Sequence, residues 1–374
     1  VTANFAIDTF TVGYTAGANC SITGETSQVV NYGTDGSAVT AVPALGYHFV
    51  DWSDASTQNP RTDTGVTANI AVTANFAIDT FTVGYTAGAN GSITGTTPQT
   101  VNYGADGSAV TAVPALGYHF VDWSDASTQN PRTDLNVTAN IAVTANFAID
   151  TFTVGYTAGA NGSITGTTPQ TVNYGTDGSA VTAVPTLGYH FVDWSDASTQ
   201  NPRTDLSVTA NIAVTANFAI DTFTVAYTAG ANGSITGTTP QTVNYGADGS
   251  AVTAVPALGY HFVDWSDAST QNPRTDTGVT ANIAVTANFA IDTFTVGYTA
   301  GANGSITGET SQVVNYGADG TAVTAVPALG YHFVDWSDAS TQNPRTDLSV
   351  TANIAVTANF AIDTFTVAYT AGAN

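Results

Sequence analysis

The chain contains no lysine and no methionine, and only one cysteine and five arginines in 374 residues. Each shortage removes a class of explanation. Phosphate binding needs clustered Lys and Arg, and five cations against 28 carboxylates form no such cluster, so nucleic acid is excluded as a partner. An anionic membrane surface is disfavoured on the same ground. The Lys–Asn isopeptide crosslink that stiffens some surface domains has no amine to form it. Cys20 stands alone and cannot make an internal disulfide, so cysteine usage does not fix the compartment. No apolar run approaches the roughly 18 residues of a membrane span, so no membrane insertion is expected, and no signal peptide is visible. The formal charge of −23 rests on a sequence only 9% charged. Thr, Ala, Asn, Gly and Ser therefore cover the surface, and the dispersed acidity favours solubility.

What is present is repetition, the feature to test first because missing it misassigns the fold. The motif GYHFVDWSDASTQNPRTD occurs five times, with histidines at His48, His119, His190, His261 and His332, a constant period of 71. Val356 to Asn374 repeats Val1 to Asn19 with Ala368 in place of Gly13. The chain thus starts and stops inside a repeat, as expected of a segment of a longer array. A copy of that length is near the size where core burial is marginal. Seven aromatics per copy, in the second Phe81, Tyr85, Tyr103, Tyr118, Phe120, Trp123 and Phe147, are expected to fill one compact core.

Within that copy, Thr80 to Tyr85 alternates apolar and polar residues, the mark of a half-buried strand with Phe81, Val83 and Tyr85 inward. Asn90-Gly91 suits a type I′ hairpin turn, with Ser92 to Thr94 returning as a strand. Further strands are expected at Gln99 to Tyr103, Ala109 to Val113 and Tyr118 to Trp123, with a hairpin arm from Asn130 to Leu135 and a last strand from Ile141. No stretch has helical periodicity. After Ile149 the apolar phase shifts from odd to even positions, and such a slip moves every side chain to the other face. That places the boundaries at residues 1–7 (end of a preceding repeat), 8–78, 79–149, 150–220, 221–291, 292–362 and 363–374 (start of a further repeat). No linker intervenes, which predicts stiff connections. Copies about 29 Å across would make an elongated rod on the order of 140 Å long. The expected fold class is all-β: five small tandem β domains, either β-sandwich or β-grasp-like without a helix.

Asn-Gly-Ser-Ile, Val-Asn-Tyr-Gly, Gly-Tyr-His-Phe-Val-Asp-Trp-Ser-Asp and Val-Thr-Ala-Asn-Phe together resemble the divergent internalin B-type bacterial repeat, and the resemblance covers essentially the whole chain. It implies a small β-rich module repeated in long secreted or cell-surface proteins, often adhesins. It brings no shared catalytic site.

Single residues offer few sites. One histidine per copy cannot converge with the others on a metal, and Ser53, His48 and Asp51 share one strand and its end, where a triad draws on separate elements. No enzyme is expected. Trp52, Trp123, Trp194, Trp265 and Trp336 read as core anchors, with a sugar-stacking role as the alternative. Phe49 and Trp52 lie three apart, so burying both needs a bulge or bend. Asp35, Asp51, Asp54 and Asp63 recur in every copy and offer hard oxygen ligands for calcium, although Asp51 or Asp63 can instead pair with Arg61. No other cofactor is implied. Asn19, Asn90, Asn161, Asn232 and Asn303, with Asn136, fit the glycosylation acceptor pattern. Cys20 replaces a turn glycine at an expected hairpin tip and is a candidate crosslink.

The leading functional expectation is a structural stalk of an extracellular, cell-surface adhesin, any host-cell or matrix ligand being bound outside this segment. A self-associating subunit of a filament or sheath is the structural alternative. A multivalent weak carbohydrate-binding module is the binding alternative.

Overall fold

The computed structural model describes residues 1–372. The chain divides into two compact units, one made of Val1–Tyr156, Gly166–Thr182 and Asn201–Val214, the other of Thr157–Thr165, Ala183–Gln200 and the residues from Thr215 onward. The first unit holds copies one and two whole and the second holds copies four and five.

Copy one supplies the strand numbering: β1 (Thr9–Ala16), β2 (Cys20–Thr23), β3 (Ser27–Asn31), β4 (Thr40–Pro43), β5 (Tyr47–Trp52) and β6 (Ile70–Ile78). Among the described residues there is no helix. Four strands form a mixed sheet in the order β3-β1-β6-β5, and β2 and β4 form a separate antiparallel pair. At the centre of the larger sheet β1 and β6 run parallel, Val12 opposite Ile70 through Ala16 opposite Ala74. Both flanks, β3 on β1 and β5 on β6, are antiparallel. The chain is therefore built of tandem all-β repeats with open sheets. Of the two expected arrangements, a first and last strand parallel at the centre matches the β-grasp-like sheet without its helix. Copies two, four and five repeat the order.

The alternation read from sequence is the alternation of burial. On β1, Val12 and Tyr14 are buried between exposed threonines, and on β6, Val72 and Ala74 are buried. These join Val30, Val39, Ala41 and Val66 around Trp52, with Phe10, Ile22, Phe49, Ile70 and Phe76 at the margin. Trp52 is 0% exposed, and its Nε1–H donates to the Gln58 carbonyl at 2.9 Å, so ring and donor are both satisfied. The spacing of Phe49 and Trp52 is met by a register shift between Phe49 and Asp51 where β5 pairs with β6.

Three local expectations need correction. In copy two, Thr80–Ala87 and Gly91–Thr94 do not form a hairpin. Both sides of Thr80–Ala87 are taken, by Ile141–Ile149 and Gln99–Asn102, so Gly91–Thr94 crosses to pair with Thr111–Pro114. The turn between them is not type I′, because only Asn90 has a positive φ (68°) and that turn needs two. The arm expected at Asn130 to Leu135 reduces to a single bridge, Val110 opposite Arg132. Finally, Tyr103 is not in its own core, and where it goes is described next. Of the segment 363–374, residues 363–372 contain no strand and the last two lie outside the described residues.

Candidate functional site: the junctions and the arginine cluster

One residue, Asp79, separates the strands Ile70–Ile78 and Thr80–Ala87. Three of its polar groups are hydrogen-bonded. Its N–H donates to the Gly46 carbonyl of copy one, its carbonyl accepts from Tyr103 N–H of copy two, both at 2.8 Å, and its Oδ1 accepts from His48 Nδ1–H at 2.7 Å. The Tyr103 ring lies over Gly46, in the space a Cβ there would fill, and Gly46 has a φ of +83°. Ring and backbone each demand glycine at that position. The equivalent Tyr32 of copy one is 57% exposed. The same set recurs with Gly117, His119, Asp150 and Tyr174, with Gly188, His190, Asp221 and Tyr245, and with Gly259, His261, Asp292 and Tyr316. Sequence reading assigned this tyrosine to the core because ring count carries no direction. Its place in Val-Asn-Tyr-Gly, between the strand and a glycine, was the available signal.

The structure therefore places His48 at a junction, not beside a nucleophile. Ser53 Oγ accepts from Thr73 N–H at 3.1 Å, and Asp51 accepts from the Asn75 amide at 2.8 Å. The three residues of the supposed triad have three unrelated partners.

The second polar feature surrounds Arg61, buried at 5% exposure. Its Nε and Nη2 donate to the two oxygens of Asp63 at 2.9 and 2.7 Å, and its Nη1 and Nη2 donate to Asp54 at 2.8 and 2.7 Å. The guanidinium lies over the Trp52 ring at 5.6 Å, and Tyr14 Oη donates to Asp63 at 2.6 Å. Burial by itself would raise the Asp63 carboxyl. The hydrogen bonds from Arg61 and Tyr14 outweigh it and hold the group below the usual carboxylate range. Asp54 is held low chiefly by its bonds to Arg61. Burial, then the bond to Asp63, pushes the Tyr14 phenol up. A cation that cannot lose its proton thus sits between two carboxylates, where a fully desolvated charge would otherwise be costly.

That cluster bears on the four aspartates considered for calcium. Asp54 and Asp63 face the guanidinium, Asp51 faces Asn75, and Asp35 accepts from Gly65 N–H at 2.8 Å. Among the described residues no group of three His, Cys, Asp or Glu is gathered for a metal. The five tryptophans are each 0% exposed, so no ring face is open to a sugar. Cys20 begins β2, and the positive φ (62°) of the turn lies on Asn19 before it, not on the cysteine. Its thiol donates to the Gly17 carbonyl at 3.1 Å, and burial pushes the thiol up. The corresponding glycines are needed for another reason: a Cβ on Gly91 would overlap the Phe147 ring. Beside the strand Gln99–Asn102 a shallow polar cleft of about 420 Å³ is lined by Thr96, Pro98, Thr100, Asn102, Asp106 and Ser108. No helix of the described residues is long and apolar enough to cross a membrane.

No curated protein matches the chain. One solved structure, described as the Bacillus anthracis TIE protein, is similar over 94% of this chain and 75% of its own at 9% identity and a TM-score of 0.29. The family described as divergent InlB B-repeat domain matches residues 10–80, 81–151, 152–222, 223–293 and 294–364, a frame two residues later than the boundaries drawn from the phase shift. With five consecutive matches over nearly its whole length, the chain belongs to the divergent InlB B-repeat domain family.

Proposed function

We propose that this chain is a spacer: the repetitive stalk of an extracellular, cell-surface adhesin, without catalytic activity, which carries a ligand-binding region located elsewhere in the protein. The boundaries at Ile78/Asp79 and its equivalents belong to the same reading. The observation that supports it best is the junction. Asp79 bonds both neighbours, and the Tyr103 ring over Gly46 leaves no slack between copies one and two. A protein selected to bind or react would concentrate unpaired polar groups in a pocket. Here the histidine, the arginine and the recurring aspartates are used to hold copies and junctions together. Light scattering with negative-stain microscopy tests the proposal. Discrete monomers across a wide concentration range are expected, and concentration-dependent polymers would replace the stalk by the filament reading. The filament reading draws on the open outer edges of β3 and β5, which present unpaired backbone groups.

A further inference from the structure

We propose that each repeat is built to bear tension along the chain, and that the parallel pair β1–β6 is the element that bears it. The chain enters a copy at the start of β1 and leaves it at the end of β6, so these two strands carry any load applied to the array. They are parallel neighbours at the centre of the sheet. Tension then draws β1 one way and β6 the other along their common axis, and the bonds between them are sheared together. Terminal strands that were antiparallel neighbours joined at the same end would instead unzip, losing their bonds in succession. Thr9 lies three residues before the paired level Val12–Ile70 and Ile78 lies eight after it, which spans about 36 Å of strand at roughly 3.3 Å per residue.

The ladder is lengthened at both ends. Thr11 N–H donates to Asn69 Oδ1 at 2.8 Å, and Gly17 N–H donates to the Ala74 carbonyl at 3.1 Å. The first bond gives the leading Asn of the Asn-Ile-Ala-Val-Thr-Ala-Asn segment a role: its side chain adds a rung beyond the last backbone pair. The rung recurs as Thr82 to Asn140, Thr224 to Asn282 and Thr295 to Asn353, each at 2.8 Å. Val12, Tyr14, Val72 and Ala74 shield one face of the ladder from water. On the other face of copy two, Thr86 and Thr144 hydroxyls bond across it at 2.8 Å. At each end Asp79 or its equivalent passes the load on without a slack linker.

This inference deepens the spacer reading. Polymers in light scattering would defeat that reading while leaving a single-chain force measurement to be decided on its own. In the experiment the whole chain is held by its two ends in a force microscope, where rupture reports the unfolding rate under load. The expected record shows repeated rips of about 220 Å each, from one period of chain extending to roughly 3.6 Å per residue less the folded span. Changing Asn69→Ala together with Asn140, Asn211, Asn282 and Asn353 to Ala lowers the rupture force. Changing Asn59→Ala and its copies removes two bonds to Ala41 on β4, outside the load path. That set melts at a lower temperature at an unchanged rupture force. Equal force losses in both sets, or a rupture force that follows melting temperature in both, would overturn the proposal. Should the Asn69 set not fold, the folded chain can be gripped through Tyr47→Cys and Ile78→Cys, with Cys20→Ser. These positions are paired partners at one end of β5 and β6. Peeling there is expected at a several-fold lower force than end-to-end pulling, and an equal force defeats the clamp.

Discussion

Copies one and five begin the third strand with Ser27 and Ser311, whereas copies two, three and four carry Pro98, Pro169 and Pro240 at that position. With serine the strand runs Ser27–Asn31, Ser27 pairs with Gly13, and Tyr14 N–H donates to the Thr26 carbonyl at 2.9 Å. With proline the strand shortens to Gln99–Asn102, and the Thr97 hydroxyl takes the place of a peptide group. It accepts from Tyr85 N–H at 2.8 Å and donates to the Tyr85 carbonyl at 2.9 Å. Proline has no N–H to continue the ladder, and a hydroxyl can accept and donate at once. What the two classes share is a partner for the backbone N–H of one buried tyrosine, whose phenol goes on to Asp63 or Asp134. The ladder itself is negotiable.

If the classes differ only there, the arginine cluster must weigh equally in both. Arg61→Ala and Arg132→Ala each strand two carboxylates against a buried ring and should destabilise their own copy by about 3–5 kcal/mol. Hydrogen exchange on the full chain reads this copy by copy, and a loss confined to one class would break the comparison. A smaller and class-specific effect is expected at the threonine. Thr97→Val leaves both backbone groups of Tyr85 unpaired and should cost about 1–3 kcal/mol. Thr26→Val, whose contribution is a backbone oxygen, should stay within about 0.5 kcal/mol. Protection of the Tyr85 and Tyr14 amides is the readout.

A second difference sharpens the first. Gly91→Ala pushes on Phe147 and should cost roughly 1–2 kcal/mol. Copy one already accommodates a side chain there: Phe49 and Phe76 are 5.7 Å apart, against 6.1 Å for Phe120 and Phe147. Cys20→Ala should accordingly change stability by an amount within about 0.5 kcal/mol. The last effect is common to both classes. Asp54, Asp63, Asp125 and Asp134 are all held below the usual value. The unfolded chain, with aspartates near pKa 3.9, binds more protons than the folded one. The stabilisation is therefore present above about pH 4 and is lost as pH falls through the folded values. A melting temperature that did not fall in a pH 5 to pH 2 series would contradict the cluster in both classes.

The period and the strand alternation could be read directly, because burial on a pleated strand repeats every two residues and the copies repeat every 71. The pairing could not. β1 meets β6 across most of a copy, and nothing local in Thr9–Ala16 states that its neighbours are β3 and β6 and not the adjacent β2. Arg61 is offered by the sequence only as a partner for Asp51 or Asp63. Its burial depends on Asp54, Asp63, Tyr14 and Trp52 converging on it from the first strand, the fifth strand and the loop that follows. Tyr103 was counted into a core because a ring's destination is set by the neighbouring copy, which the sequence of one copy does not describe.

The contacts made by Asp79 draw on Gly46, His48 and Tyr103, and these four residue types stand unchanged at every junction in the chain. Any copy is consequently an acceptable neighbour for any other. An in-register recombination that adds or deletes one whole period rebuilds each new junction from the same parts. The length of the array can change between generations in whole steps, with no compensating substitution at the join.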